Sequence, residues 1–259
     1  MIPDDYGWFT LAEFKSVLDA LNKNQNPSFP TILVGGQALV AWIKHYDIPV
    51  PNSDTPALTQ DIDFLGSDEQ AKLLAKEIGA KINIAGMDDH TPNTAVLSFR
   101  SSNTNKILII DFLSYLIGLS EQEIRKLAVA IKFESLSSID ILHPILCLKS
   151  RIENLHKLKS KRNGNGITQA RAAIEVVKKF LGEISKEEHG MRQTLNAIKK
   201  LRLIALSDAG IFVYHEYDLD ILTAIDLSLF KESKFVDQGW PQLCMTVNNK
   251  RKKKVKAIK

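Results

Sequence analysis

A change of pattern at His143-Pro144 constrains this chain more than any other single feature. Before it, short apolar runs bounded by turn residues alternate with capped helical segments. After it, apolar residues recur only at helical spacing. The chain is therefore expected to be α+β: an N-terminal mixed sheet flanked by helices over 1–142, then a helical domain over 143–235. A C-terminal segment, 236–259, is expected to end in a flexible basic tail.

Local signals place the elements. Thr10-Leu-Ala-Glu13 is a capping box, followed by Leu11, Phe14, Val17, Leu18 and Leu21 on one helical face. Thr31–Val34 reads as a buried strand that runs straight into Gly35-Gly36, and Gln37–Tyr46 as a helix. Ile48–Leu58 carries three prolines and reads as a loop. Thr59–Leu65 is a second strand, and Ser67-Asp-Glu-Gln70 caps a helix to Ile78. Lys81–Ala85, Thr94–Arg100 and Lys106–Leu113 follow as strands. Ser120 caps a short helix, and Val129–Glu134 is expected to close the sheet. Beyond His143-Pro144 the spacing predicts helices over Ile145–Leu158, Ile167–Leu181, Glu187–Leu206 and Leu219–Phe230.

Charge is unevenly distributed. Lys250–Lys259 holds seven of the 34 Lys and Arg and none of the 30 Asp and Glu, so the +4 net charge comes from the end of the chain. Such a run suits nucleic-acid phosphates, and equally suits a solubilising end. Two cysteines, Cys147 and Cys244, cannot build a disulfide framework or a zinc cluster. The start, MIPDDYGWF, has no apolar signal-peptide core, and no apolar run approaches membrane-spanning length. A cytoplasmic protein with no membrane partner is expected. The six histidines show no metal-ligand spacing, which argues against zinc. The tryptophans Trp8, Trp42 and Trp240 are expected in the core or at hinges.

The segment Val34–Phe64 carries the chemistry. Glycines between a strand and a helix allow an anion to approach the helix N-terminus closely, though they also serve an ordinary tight turn. Asp61-Ile62-Asp63-Phe64 puts two carboxylates on one face of a strand and two apolar side chains on the other. Carboxylates so close repel each other unless a cation neutralises them, and hard oxygen ligands suit Mg²⁺ or Mn²⁺. Asp111 follows the apolar run Ile107–Ile110. If that strand lies beside Asp61–Phe64, Asp111 completes a three-carboxylate cage; otherwise it caps the following turn.

The order strand, Gly-Gly, helix, Thr59-Gln60-Asp61-Ile62-Asp63-Phe64, then a later strand bearing Asp111, resembles the polymerase-beta-type nucleotidyltransferase superfamily. Within it, Val34-Gly35-Gly36-Gln37-Ala38-Leu39 is most similar to the bacterial AbiEii/MenT-like branch, which includes toxins of toxin–antitoxin pairs. The resemblance covers residues 30–160. It implies a nucleotidyltransferase-like catalytic domain that transfers NMP from an NTP to an acceptor hydroxyl. RNA is the favoured acceptor, with the tRNA 3′ end as a candidate, and an antitoxin protein is an implied partner. It further implies Asp61, Asp63 and Asp111 as metal ligands for Mg²⁺ or Mn²⁺, Asp111 also activating the acceptor. Gly35 and Gly36 would form the phosphate turn. Lys149, at the start of the helix after the sheet, would approach the triphosphate, although an exposed helix lysine reads the same way. Arg151 is the next candidate, on another helix face. Two alternatives stay open: a protein-modifying, AMPylating transferase, and a non-catalytic nucleotide- or RNA-binding regulator.

Three departures from the family pattern stand out. Gln37 occupies the position where Ser or Thr usually follows the glycines, the gap from Gly36 to Asp61 is long, and the helical half lacks a clear Lys-Asp pair, with Gln169 and Arg171 near that place. Haloacid-dehalogenase phosphatases also use D-x-D, but the Thr they need is missing from Asp61-Ile-Asp-Phe-Leu-Gly. The basic cluster His156–Arg162 reads as an RNA-backbone contact or a solvated helix end.

Overall fold

Strand β1 (Ile32–Val34) is buried throughout, and it organises the first half of the chain. The computed structural model describes residues 6–24, 29–49, 61–86, 88–132, 138–230 and 233–258. Six further strands join β1: β2 (Ile62–Leu65), β3 (Lys81–Ile84), β4 (Asn93–Arg100), β5 (Ile107–Leu113), β6 (Val129–Lys132) and β7 (Ser138–Ile141). They form one mixed sheet in the order β3-β4-β5-β2-β1-β7-β6. β2 pairs in parallel with β5, and β1 in parallel with β7, while the remaining pairs are antiparallel. The middle strands are apolar on the face that carries Leu33, Phe64, Ile110, Phe112 and Ile141, all fully buried.

The flanking helices follow the expected caps. Helix α1 (Leu11–Lys23) opens with the Thr10–Glu13 capping box and buries Val17, Leu18 and Leu21. Leu11, expected on that face, is 65% exposed. Helix α3 (Asp68–Ile78), packed against α1, has a reciprocal Ser67–Gln70 box and ends at left-handed Gly79. Helix α4 (Glu121–Leu127) takes its cap from Ser120. Between β1 and β2, helix α2 (Gly35–His45) starts at Gly35 itself, with no loop between it and the strand. The Trp42 indole of α2 donates to the Leu142 carbonyl at 2.8 Å, locking two buried elements 100 residues apart. Trp42 is thus core, as expected, whereas Trp8 is 40% exposed.

β7 has no counterpart among the strands expected from the sequence. The strand over 129–132 does close the sheet, but against β7, which supplies the partner of β1. The loop over 48–58 and the Thr59-Gln60 start of the second strand lie mostly outside the described residues, which resume at Asp61.

The chain divides into two compact units. The first comprises Met1–Lys44 and Pro49–Cys147, the second His45–Ile48 and Leu148–Lys259. The division falls within helix α5 (Pro144–Lys157), later than the expected join at 142. The second unit continues with α6 (Gly164–Ile184), α7 (Gly190–Leu206), α8 (Asp208–Tyr217), two 3₁₀ turns (Ile221–Ala224 and Leu227–Phe230), a π turn (Phe235–Gly239) and α9 (Trp240–Ile258).

One expectation is overturned here. The helix expected over Leu219–Phe230 is broken into 3₁₀ turns. The Asp220 carboxylate accepts from Leu222 N–H and that of Asp226 from Ser228 N–H, both at 2.9 Å, offering the backbone an alternative to a continuous helix. The C-terminal segment carries the helix α9, which buries Leu243, Val247 and Arg251 in the second unit. Arg251 explains the docking: its guanidinium holds Asp220 at 2.6 and 3.1 Å and lies 3.6 Å from the Tyr214 ring centroid.

Candidate active site

Alternation along β2 separates two chemistries. Ile62 and Phe64 are fully buried on one face, and Asp63 is half-buried on the other. Asp61, two residues earlier, sits in the bend that leads into β2 and is also half-buried. The parallel register with β5 then matches Ile62 with Ile110, Asp63 with Asp111 and Phe64 with Phe112. Side chains of matched residues share a face, so Asp63 and Asp111 stand side by side, about 4.8 Å apart at the backbone. Beneath them, on the opposite face, the Phe64 and Phe112 rings pack at 5.5 Å between centroids.

Asp111 is not a turn cap. β5 continues to Leu113, so the carboxylate projects from within a strand. Its Oδ1 accepts a hydrogen bond from the Asn93 side-chain amide at 3.1 Å. Asn93 was missed in the sequence, where it falls just before the strand expected from Thr94.

On the other side of β2, antiparallel β1 places Val34 opposite Asp63, and Gly35 comes next. Gly35 has φ +64°, and a Cβ built on it would fall 1.7 Å from Asp63 Oδ2. The backbone at the start of α2 is therefore pressed against this carboxylate. Gly36 is buried in the next position, Gln37 is half-buried, and the first turn of α2 carries no acid. The helix start thus offers backbone N–H groups and the positive end of its dipole.

The structure brings together Asp63, Asp111, Gly35 and Asn93, with Asp61 on the approach to the same strand. Lys149 lies on α5 in the second unit, half-exposed. Arg151 and Gln169, also in that unit, are both buried and pair with each other at 2.8 Å, tying α5 to α6. Arg171 is exposed on α6. Among the described residues, no three His, Cys, Asp or Glu side chains are gathered closely enough to hold a metal ion. The donor chemistry still fits a hard divalent cation: two carboxylates in register on adjacent strands, with a third two residues away, and a glycine where any side chain would crowd them.

No protein-family model matches the chain, and no curated protein matches it. Among the described residues, no helix is long and apolar enough to cross a membrane.

Proposed function

We propose that this protein is a metal-dependent nucleotidyltransferase that moves NMP from an NTP to an acceptor hydroxyl, with RNA as acceptor. The observation that carries the reading is the register of β2 with β5, which sets Asp111 beside Asp63 while Gly35 abuts Asp63 at the start of α2. Asp61, Asp63 and Asp111 would hold Mg²⁺ or Mn²⁺, which requires their side chains to draw together on binding. The bound cation supplies charge neutralisation for the triphosphate and a lower pKa for the acceptor hydroxyl.

The protein's own groups perform the remaining work. The N–H groups at Gly35 and Gly36 receive phosphate oxygens, aided by the α2 dipole. The Gln37 amide would donate in the same turn, in place of the hydroxyl that the family pattern carries there. Asp111 orients the acceptor hydroxyl and takes its proton as the acceptor O–Pα bond forms. The bond from Pα to the pyrophosphate oxygen breaks, and pyrophosphate leaves. The basic residues of α9 favour an RNA acceptor over a protein one, and the family resemblance assigns a toxin's role with an antitoxin partner.

The test is transfer of α-labelled ATP, CTP, GTP and UTP onto total RNA and total protein with Mg²⁺ or Mn²⁺. Labelled RNA is expected, with the signal lost in Asp61→Ala and Asp63→Ala proteins that melt at an unchanged temperature. Labelled protein instead would make the enzyme an AMPylating-type transferase. Gln37 favours a second reading, a nucleotide- or RNA-binding regulator, and NTP binding without any transfer would decide for it.

A further inference from the structure

Strands β4 and β5 pair in regular antiparallel order from Arg100 opposite Ile107 to Ala95 opposite Phe112, and then the register slips so that Asn93 faces Leu113. Two residues of β4 are taken up against one step of β5, which is a β-bulge. Its extra residue is Thr94. The Thr94 hydroxyl lies 3.2 Å from the Gly66 carbonyl and 3.1 Å from that of Phe112, and its own carbonyl accepts from Ala85 N–H at 3.0 Å. Neighbouring contacts fix the approach: Asn93 N–H donates to the Thr91 hydroxyl at 3.2 Å. Ser114 reaches the Pro92 carbonyl with both its N–H and its hydroxyl, each at 2.9 Å.

The bulge changes which way residue 93 faces. Asp111 pairs with Val96, while Ala95 and Leu97 point to the buried opposite face with Phe112 and Ile110. In an unbroken strand, residue 93 would share the face of Ala95 and Leu97, because side chains alternate with period two. The inserted residue turns Asn93 onto the face of Asp111, where its amide reaches Oδ1 at 3.1 Å. Bulges re-aim side chains in this way beside active sites.

We infer that Asn93 is the positioning residue of Asp111, delivered by the bulge to hold one carboxylate oxygen and direct the other. This inference rests on the reading of Asp111 as a site carboxylate. The residue type suits the task. An amide orients a carboxylate through an uncharged donor and leaves its negative charge in place, whereas Lys or Arg would offset that charge. Partners of this kind, behind the groups that hold a metal, are worth about 10–100-fold in metal affinity or turnover.

The experiment uses the full chain and two readouts: calorimetric titration with MnCl₂ alone, and kcat and KM for the NTP in the transfer assay. Asn93→Ala is expected to weaken Mn²⁺ binding and lower kcat, each by about 10–100-fold, with KM for the NTP and the melting temperature little changed. Asn93→Gln, which keeps the donor, is expected to recover part of both. If Asn93→Ala does not fold, Asn93→Ser, which is too short to reach Oδ1, takes its place with the same expectation. Wild-type Mn²⁺ affinity and kcat in the variant that folds would overturn the inference alone. A wild-type protein that neither binds Mn²⁺ nor transfers NMP would overturn it together with the transferase reading.

Discussion

At Gly35 two independent requirements coincide. Its φ of +64° lies in the left-handed region, and its missing side chain leaves room for Asp63 Oδ2, which a Cβ would meet at 1.7 Å. A methyl group there costs about 1–2 kcal/mol in backbone strain alone, and the clash must also displace either α2 or the carboxylate. Gly35→Ala is therefore expected to lower the melting temperature and to reduce transfer more than tenfold, because the same atom moves the phosphate turn and Asp63 together. Differential scanning calorimetry beside the transfer assay checks this, and a variant with full activity would show that Asp63 can shift without consequence. The residues at this scale were unequally legible. Asp61, Asp63, Gly35 and Asp111 stand out because each breaks an apolar pattern or marks a strand end. Asn93 does not, since its role depends on a bulge that no local spacing announces.

At the scale of elements, caps were the most readable feature. Thr10 and Glu13 satisfy each other's backbone N–H groups at the start of α1, the Thr10 N–H to Glu13 Oε2 distance being 2.9 Å. Burial alone would raise the Glu13 carboxyl, but hydrogen bonds from Ser101 and Thr10 outweigh it and hold the group below its ordinary value. A carboxylate depressed in the folded state adds stability that is present above its unfolded pKa and disappears as pH falls through the folded value. Thr10→Ala is expected to cost about 1 kcal/mol at neutral pH, and the gap from wild type should shrink under acid conditions; melting curves from pH 7 downward test it. The same reliance on local signals explains the failures. Ser138-Ile-Asp-Ile141 is too short to declare itself a strand, and its pairing with β6 and with the distant β1 makes it β7. Over 219–230 the apolar spacing is helical, yet Asp220 and Asp226 bond their own neighbouring backbone and cut the helix into single turns. For 240–258 the run of lysines masked the burial of Leu243, Val247 and Arg251, whose anchor, Asp220, is distant in sequence.

Over the whole molecule, charge is divided between the units. The first unit has more Asp and Glu than Lys and Arg, and the second has the reverse, with Lys250, Lys252 and Lys253 exposed on α9. On the RNA-acceptor reading, binding should weaken linearly with salt on logarithmic axes. Replacing those three lysines with alanine should reduce the slope by about 2 for a single strand. A slope that stays the same in filter-binding titrations would detach the basic run from RNA. Connectivity has a consequence of another kind. β1 lies between β2 and β7, and β7 ends just before Leu142, whose carbonyl takes the Trp42 indole across 100 residues of chain. During synthesis at about 5–20 residues per second, one edge of β1 must stay without its native partner for roughly 5–20 s after Trp42 has been made. A ribosome-bound nascent chain that stops before β7 should thus expose a buried-type, wholly apolar strand edge to chaperones, and the sheet should become protease-resistant only once residue 141 has cleared the exit tunnel.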